Sequence, residues 1–301
     1  MLLLAACGAD GPADPGEGSA GLSVVASFYP LAEAAIRVGG DEVDVTNLTP
    51  AGAEPHDLEL TPDALDSIVR ADLVLFVGGG FQPAVEEAVA LAEGVAVDVL
   101  DGLATLPPAA DDDHDDADHD DIDEQLAADP HVWLDPSLYA ELLARVAAAM
   151  TEARPAAAVT FGSNLASSVE ALERLDRTFR ESLAVCESRV FVVSHAAFGY
   201  LAAAYDLDQR SITGISPEAE PDPRRLAELL DEVHAEGVTT IFTEELVSSA
   251  VAETLAAEAG VATAVLNPLE GLTAEQEAAG EDYGSVMRAN LEALRAGLRC
   301  T

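Results

Sequence analysis

Strand-like and helix-like segments alternate along this chain in two series, and this alternation constrains the fold more than any other feature. In the first series, apolar runs lie at 22–28, 43–48, 72–77 and 95–99. In the second series, similar runs lie at 189–194, 239–243 and 262–266. An alternating strand–helix order predicts a mostly parallel sheet with helices on both faces. We therefore predict an α/β protein built from two Rossmann-like lobes.

A long helix-like stretch separates the two series. Residues 137–153 predict one helix, Arg154-Pro155 interrupts it, and residues 156–184 predict a second. The second helix would span about 40 Å, which is comparable to a whole domain. We expect it to act as a rigid strut rather than as a flexible hinge. The predicted boundaries are an N-terminal lobe at 22–155, a linking helix at 156–184 and a C-terminal lobe at 185–301.

The charge balance excludes one class of partner. The chain has 56 acidic and 14 basic residues, which gives a formal charge of −42. Nucleic acids need lysine and arginine contacts to their phosphates, so no nucleic acid is expected as a partner. An acidic surface favours the approach of cations, although it also serves solubility alone.

One segment of the first lobe, at about 106–128, is dominated by acidic residues. It contains the run DDDHDDADHDDIDE, in which His114 and His119 are embedded. Blocks of like charge repel one another, so we predict that this loop is disordered.

Three of the six histidines lie where an α/β protein usually binds its ligand, beyond the carboxyl ends of strands. His195 follows the strand that ends at Ser194, and His56 follows the strand at 43–48 after a short loop. His131 lies in the segment DPHVWLDP, between the acidic loop and the next helix. Three imidazoles on loops suit Zn²⁺. A structural hydrogen-bonding role is the alternative for each, because the spacing matches no short local zinc motif.

Seven segments of the chain carry a family resemblance. They are VVASFYPLAEAAIRVGGD (24–41), GAEPHDLELTPDAL (52–65), ADLVLFVGGGF (71–81), DPHVWLDP (129–136), VSHAAFGYLAAAY (193–205), GISPEAEPDPRRLAEL (214–229) and IFTEELVSSAVAETLA (241–256). Together they resemble the zinc and manganese solute-binding lipoproteins of bacterial ABC importers. The resemblance implies two α/β lobes joined by a long helix, with metal in the cleft between them. It also implies a non-enzymatic protein, expected to be a monomer, that delivers Zn²⁺ to the importer's permease.

The resemblance also implies a ligand set. Matched residue by residue, the family's ligand histidines fall on His56, His131 and His195. The manganese branch usually has glutamate at the third position, so His195 favours zinc, which prefers neutral nitrogen more than Mn²⁺ does. The family's fourth ligand is commonly an aspartate, and this chain has Asn267 there. Three outcomes stay open: Asn267 binds, water occupies the fourth position, or the nearby Glu270 takes it.

Two other functions are compatible with the same three histidines. A zinc-dependent hydrolase would hold water at the fourth position and use Glu54 or Glu270 as a general base. A metal-supported adhesin would use the ion only as structural support. Neither glutamate lies in a recognisable catalytic motif, so transport is the preferred interpretation. Glu244, at the end of a strand, is either a partner of the site or a structural hydrogen-bonding group.

The first 21 residues favour export. The opening MLLLAAC is similar to the end of a bacterial lipoprotein signal, here clipped, with Cys7 as the acylated residue. Residues 8–21 are rich in Gly, Pro, Ala and Asp and predict a flexible tether. We therefore expect an extracytoplasmic or periplasmic protein anchored to the membrane by lipid. In that oxidising space Cys186 and Cys300 are expected to form a disulfide, with two free thiols as the alternative.

Overall fold

The computed structural model describes residues 21–108 and 126–301. The predictions for Cys7, for the tether and for most of the acidic segment, with His114 and His119, lie outside the described residues.

The first lobe is built on one parallel sheet in the order β2-β1-β3-β4. Its strands are β1 (Leu22–Ala26), β2 (Val43–Asn47), β3 (Leu73–Phe76) and β4 (Val95–Asp98). Its helices are α1 (Tyr29–Gly39), α2 (Pro62–Arg70) and α3 (Pro83–Ala88). Each helix has a proline in its first turn, where the missing N–H has no intrahelical partner to lose.

Two helices connect the lobes, α4 (Pro136–Ala153) and α5 (Ala158–Ser182). The side chain of Asp135 accepts the N–H of Ser137 and so caps α4. With 25 residues, α5 is about 37 Å long, and it is the long helix predicted to link the lobes.

The second lobe repeats the plan of the first, with the sheet order β6-β5-β7-β8. Its strands are β5 (Val190–Val193), β6 (Asp208–Ser211), β7 (Thr240–Thr243) and β8 (Ala262–Val265). Its helices are α6 (Gly199–Tyr205), α7 (Pro223–Glu236), α8 (Ala250–Ala259), α9 (Ala274–Ala279) and α10 (Tyr283–Gly297). Every strand pair in the described ranges is parallel, which confirms the predicted fold class.

Two elements of the second lobe were not predicted. Strand β6 has the polar sequence DQRS and lies at the edge of its sheet, exposed or half-buried along its length. A strand that buries no continuous apolar face lacks the hydrophobic signal on which strand prediction depends. Helix α9 is only six residues long and is separated from α10 by Gly280, whose φ of 73° ends the helix.

Aromatic residues join the two lobes directly. Tyr139 of α4 stacks on Tyr283 of α10 with ring centroids 4.2 Å apart. The Trp133 indole donates a hydrogen bond to the carbonyl of Pro268, and the Tyr283 hydroxyl donates one to the carbonyl of Trp133, both at 2.8 Å. One buried apolar core runs from the first sheet through α4 and α5 into the second lobe. This continuous packing favours a fixed relation between the lobes.

Cys186 and Cys300 form a disulfide, as predicted. The bond ties the C-terminus, just after α10, to the segment between α5 and β5. No helix in the described ranges is both long and apolar enough to span a bilayer.

Replacing both Cys186 and Cys300 by serine is expected to lower the free energy of unfolding by about 2–4 kcal/mol, because the cross-link spans 114 residues of the unfolded chain. Zinc affinity should change less than twofold, since the disulfide lies away from the histidines. Denaturant unfolding and zinc titration of the double variant measure the two effects. A large loss of zinc affinity at unchanged stability would contradict this account.

Candidate metal centre

Four side chains from loops at the sheet ends converge between the lobes. His56 lies in the loop after β2, and His131 directly precedes a 3₁₀ turn at Val132–Leu134. His195 follows β5, and Glu270 lies in the loop after β8. Their potential ligand atoms all lie within 4.8 Å of one another. His131 and His195 are completely buried, while the His56 side chain keeps 8% of its surface exposed.

One carboxylate oxygen is the centre of this group. Glu270 Oε1 lies 3.1 Å from Nε2 of His56, 3.0 Å from Nε2 of His131 and 3.2 Å from Nε2 of His195. In a tetrahedral zinc site with bonds near ~2.0–2.1 Å, neighbouring ligand atoms are ~3.3 Å apart. The nitrogen–oxygen separations are within a few tenths of an ångström of that value. All four ligand atoms lie within 4.8 Å of one another, so the nitrogens would close around a single ion of this size to coordinate it.

Two of the histidines are oriented by carboxylates behind them. His131 pairs its Nδ1 with Asp129 Oδ1 at 2.8 Å, and His195 pairs its Nδ1 with Glu244 Oε1 at 2.8 Å. Each carboxylate also accepts the backbone N–H of the same histidine. Because an ionised carboxylate only accepts, Nδ1 must carry the proton, and Nε2 is presented to the centre. Of the two roles considered for Glu244, the structure favours the first, in which Glu244 orients His195 for the site.

His56 is held differently. Its backbone N–H donates to Glu54 Oε2 at 2.9 Å, and its ring packs edge-on against Phe81 with centroids 4.6 Å apart. Glu54 Oε1 lies 3.9 Å from His56 Nε2. The His56 ring therefore has Phe81, Glu54 and Glu270 beside it, whereas His131 and His195 each have a carboxylate hydrogen-bonded at Nδ1.

The pKa values follow from burial and from this charge pattern. Burial lowers the pKa of His195, but the charges of Glu244 and Glu270 outweigh it, and the net pKa lies well above its usual value. Burial also lowers the pKa of His131, and its hydrogen bonds to Asp129 and Glu270 reverse that effect, so the net pKa is raised. Burial dominates at His56, whose pKa is lowered.

The pKa values of the two glutamates nearest the histidines are shifted in opposite directions. Burial would raise the pKa of Glu270, but the charge of His195 and the hydrogen bonds from the histidines hold it well below the usual range. Burial, followed by the charge of Glu270, raises the pKa of Glu54 to about 8. The carboxylate at the centre of the group is therefore the ionised one at neutral pH.

Asn267 does not face this centre. Its Oδ1 accepts the N–H of Leu269 at 2.7 Å, and its Nδ2 donates to Glu245 Oε2. Both ends of the amide are therefore engaged elsewhere, and the structure places Glu270 beside the histidines instead. The sequence could name Glu270 only as an alternative, because the conformation that turns it inward depends on Leu269, whose φ is 58°. Leucine rarely adopts a positive φ, so no local sequence signal indicates this turn.

The chain has two parallel-sheet lobes connected by a long helix. Between the lobes lies a buried site of three imidazoles and one carboxylate. This combination defines a metal-binding solute-binding protein. Residues 24–297 match the family model described as zinc-uptake complex component A, periplasmic. The chain therefore belongs to this family, whose description is that of a binding component of zinc uptake rather than of an enzyme.

Relatives match along nearly the whole chain. The high-affinity zinc uptake system protein ZnuA of Bacillus subtilis is 36% identical over 304 residues, covering 99% of this chain and 94% of that protein. The zinc-binding lipoprotein AdcA of Streptococcus pneumoniae is 38% identical over 296 residues, covering 98% of this chain and 58% of that protein. The chain thus spans a little over half the length of the AdcA proteins it matches.

Solved structures support the same fold. The zinc-bound ZnuA-like domain of Streptococcus pneumoniae AdcA has a TM-score of 0.78 at 36% identity, covering 93% of this chain and 99% of that domain. The laminin-binding protein Lmb of Streptococcus agalactiae, described as bifunctional with adhesin and metal-transporting activity, has a TM-score of 0.81 at 28% identity, covering 92% of this chain and 100% of that one.

Proposed function

We propose that this protein captures Zn²⁺ outside the cytoplasm and delivers it to the membrane permease of an ABC-type importer. The observation that carries the proposal is the convergence of His56, His131 and His195 on Glu270 Oε1. We propose these four residues as the zinc ligands, with Glu270 rather than Asn267 in the fourth position. The names of the relatives above support zinc as the cargo.

The composition of the site suits binding better than catalysis. A catalytic zinc site usually has three protein ligands and keeps one position for water or substrate. Here a fourth protein group, Glu270, already lies beside the three histidines and is 1% exposed. One carboxylate also reduces the net charge of a bound Zn²⁺ from +2 to +1, which lowers the cost of burying the ion. The hydrolase alternative therefore has no support from the geometry, and the adhesin alternative stays a prediction.

Two expectations about the cellular setting complete the proposal. Lipoprotein relatives support an extracytoplasmic location, and the proposed anchor is Cys7. The acidic charge of the chain would attract cations towards the binding site without selecting among them. Selection then depends on the three nitrogen ligands, which suit Zn²⁺ better than Mn²⁺.

The test has a binding arm and a transport arm. Competition titration with a chromogenic chelator should give one tight zinc site per chain and much weaker binding of Mn²⁺. Deleting the gene from its bacterium should reduce growth in zinc-depleted medium, and added zinc should restore growth. Tight zinc binding with no growth defect under zinc depletion would contradict the transport role while leaving the site intact.

Zinc affinity is expected to fall as the pH falls. The raised pKa values of His131 and His195 mean that both rings carry extra protons in the metal-free protein, and zinc must displace them. The dissociation constant should rise about tenfold per pH unit for each proton released, as the pH decreases from 8 towards 6. Titrations across this range, with proton release followed in weak buffer, measure the effect. A pH-independent affinity would contradict the proton competition.

A further inference from the structure

The short segment that carries Glu270 into the site has an unusual backbone. Leu269, directly before Glu270, has a φ of 58° and is completely buried. A bulky residue in the left-handed region is strained and persists only where its surroundings impose it. The position of the Glu270 carboxylate thus depends on whatever holds this backbone.

Side chains, rather than a strand or helix, supply the hydrogen bonds of the segment. Asn267 Oδ1 accepts the N–H of Leu269 at 2.7 Å. Asn290 of α10 accepts the N–H of Asn267 at 2.8 Å and donates to its carbonyl at 2.7 Å. The Trp133 indole donates to the carbonyl of Pro268. The backbone immediately before Glu270 is therefore fixed by the second lobe on one side and by the turn after His131 on the other.

Asn267 also links this segment to the neighbour of Glu244, the residue that orients His195. Its Nδ2 donates to Glu245 Oε2, and Glu245 directly follows Glu244, which accepts the Nδ1 proton of His195. Asn267 and Asn290 are 4% and 2% exposed, so an unpaired polar group at either position would be costly. Both polar atoms of the Asn267 side chain are therefore occupied by these hydrogen bonds.

We propose that Asn267, itself clamped by Asn290, is a positioning residue that holds the Glu270 carboxylate at the metal centre. This inference rests on the proposed function, because it concerns the same zinc site. A carboxylate that is already in place needs no ordering when the ion arrives, so preorganisation raises the affinity.

The full-length chain with Asn267→Ala is the first variant to measure. Removing the acceptor for the Leu269 N–H should free the Glu270 segment and weaken zinc binding by about 10-fold or more, the usual effect of losing a group that orients a ligand. Asn267→Ser keeps an oxygen that can accept from the N–H two residues on, so it should restore part of the affinity. Asn164→Ala removes an Asn hydrogen bond to the carbonyl of Val38 and should leave zinc affinity unchanged.

A double-mutant cycle separates positioning from a general structural effect. In a Glu270→Gln background, Asn267→Ala should cause no further loss of zinc affinity, because the carboxylate that Asn267 positions is already absent. The visible spectrum of bound Co²⁺ should also change in Asn267→Ala, because the Glu270 carboxylate no longer holds its place among the ligands. Asn290→Ser, which shortens the clamp from α10, should give the same loss, and it carries the test if Asn267→Ala does not fold.

The outcomes distinguish the two proposals. If Glu270→Gln leaves zinc affinity unchanged, the ligand set of the proposed function is wrong. If Glu270→Gln weakens binding but Asn267→Ala does not, or if Asn267→Ala costs as much in the Glu270→Gln background as alone, only the positioning role is overturned.

Discussion

Replacing His195 by alanine should weaken zinc binding by about 100-fold or more. Protein zinc sites of four ligands bind with about 10–16 kcal/mol, so one ligand accounts for about 3 kcal/mol. His195 is completely buried and is oriented by Glu244, so it should contribute at least this share. Replacing His56 by alanine should weaken zinc binding less, because no carboxylate in the described part of the chain is hydrogen-bonded to its Nδ1 in the way that Glu244 is to His195. Competition titrations with zinc measure both variants.

The control for this prediction is His234→Ala, because His234 lies exposed on α7 and outside the group of four. It should bind zinc like the unmodified chain. Thermal unfolding of metal-free His195→Ala is measured in parallel, since removing the imidazole leaves the buried carboxylates of Glu244 and Glu270 without the ring that pairs with both. Folded His195→Ala protein with unchanged zinc affinity would exclude His195 as a ligand.

Zinc should raise the melting temperature of the metal-free protein by about 4–8 °C. A ligand that binds only the folded state stabilises it by about 2.7 kcal/mol at 100 times its dissociation constant, and by about 4.1 kcal/mol at 1,000 times. For a chain of this size each kcal/mol raises the melting temperature by about 1.5–2 °C. The site joins loops of both lobes, so the ion should stabilise them together as one unit.

Differential scanning calorimetry with and without excess zinc measures this shift. The same scan with Mn²⁺ should give a smaller shift, because the site offers three nitrogens and one oxygen. Glu270→Gln is the matched variant, and its zinc-induced shift should be reduced. An equal shift in Glu270→Gln and in the unmodified chain would indicate that zinc stabilises the protein from another position.

The central strands of the two sheets could be predicted because they are buried and apolar. The runs LSVVA and LVLF form β1 and β3 of the first sheet, and VFVV forms β5 of the second. Each run is long enough to give a clear hydrophobic signal, and a helix follows it. Strand β6 gives no such signal, since its polar residues lie at the sheet edge.

The part of the candidate site that depends on the order of strands and helices could be predicted from the sequence. His195 directly follows a strand, and parallel strands of one sheet end at a common edge, so its place near the cleft could be inferred. The fourth position could not be inferred, because it depends on a positive φ at Leu269 and on contacts from Asn290 and Trp133, both distant along the chain. Such long-range contacts leave no pattern in the local sequence.

The central claim is that His56, His131, His195 and Glu270 together bind one Zn²⁺ in the cleft. Anomalous scattering at the zinc edge, from crystals of the zinc-loaded protein, tests it most directly. We expect a single strong peak about 2.0–2.2 Å from Nε2 of each of these histidines and from a carboxylate oxygen of Glu270. A principal peak elsewhere, or one that excludes two or more of these side chains, would contradict the account.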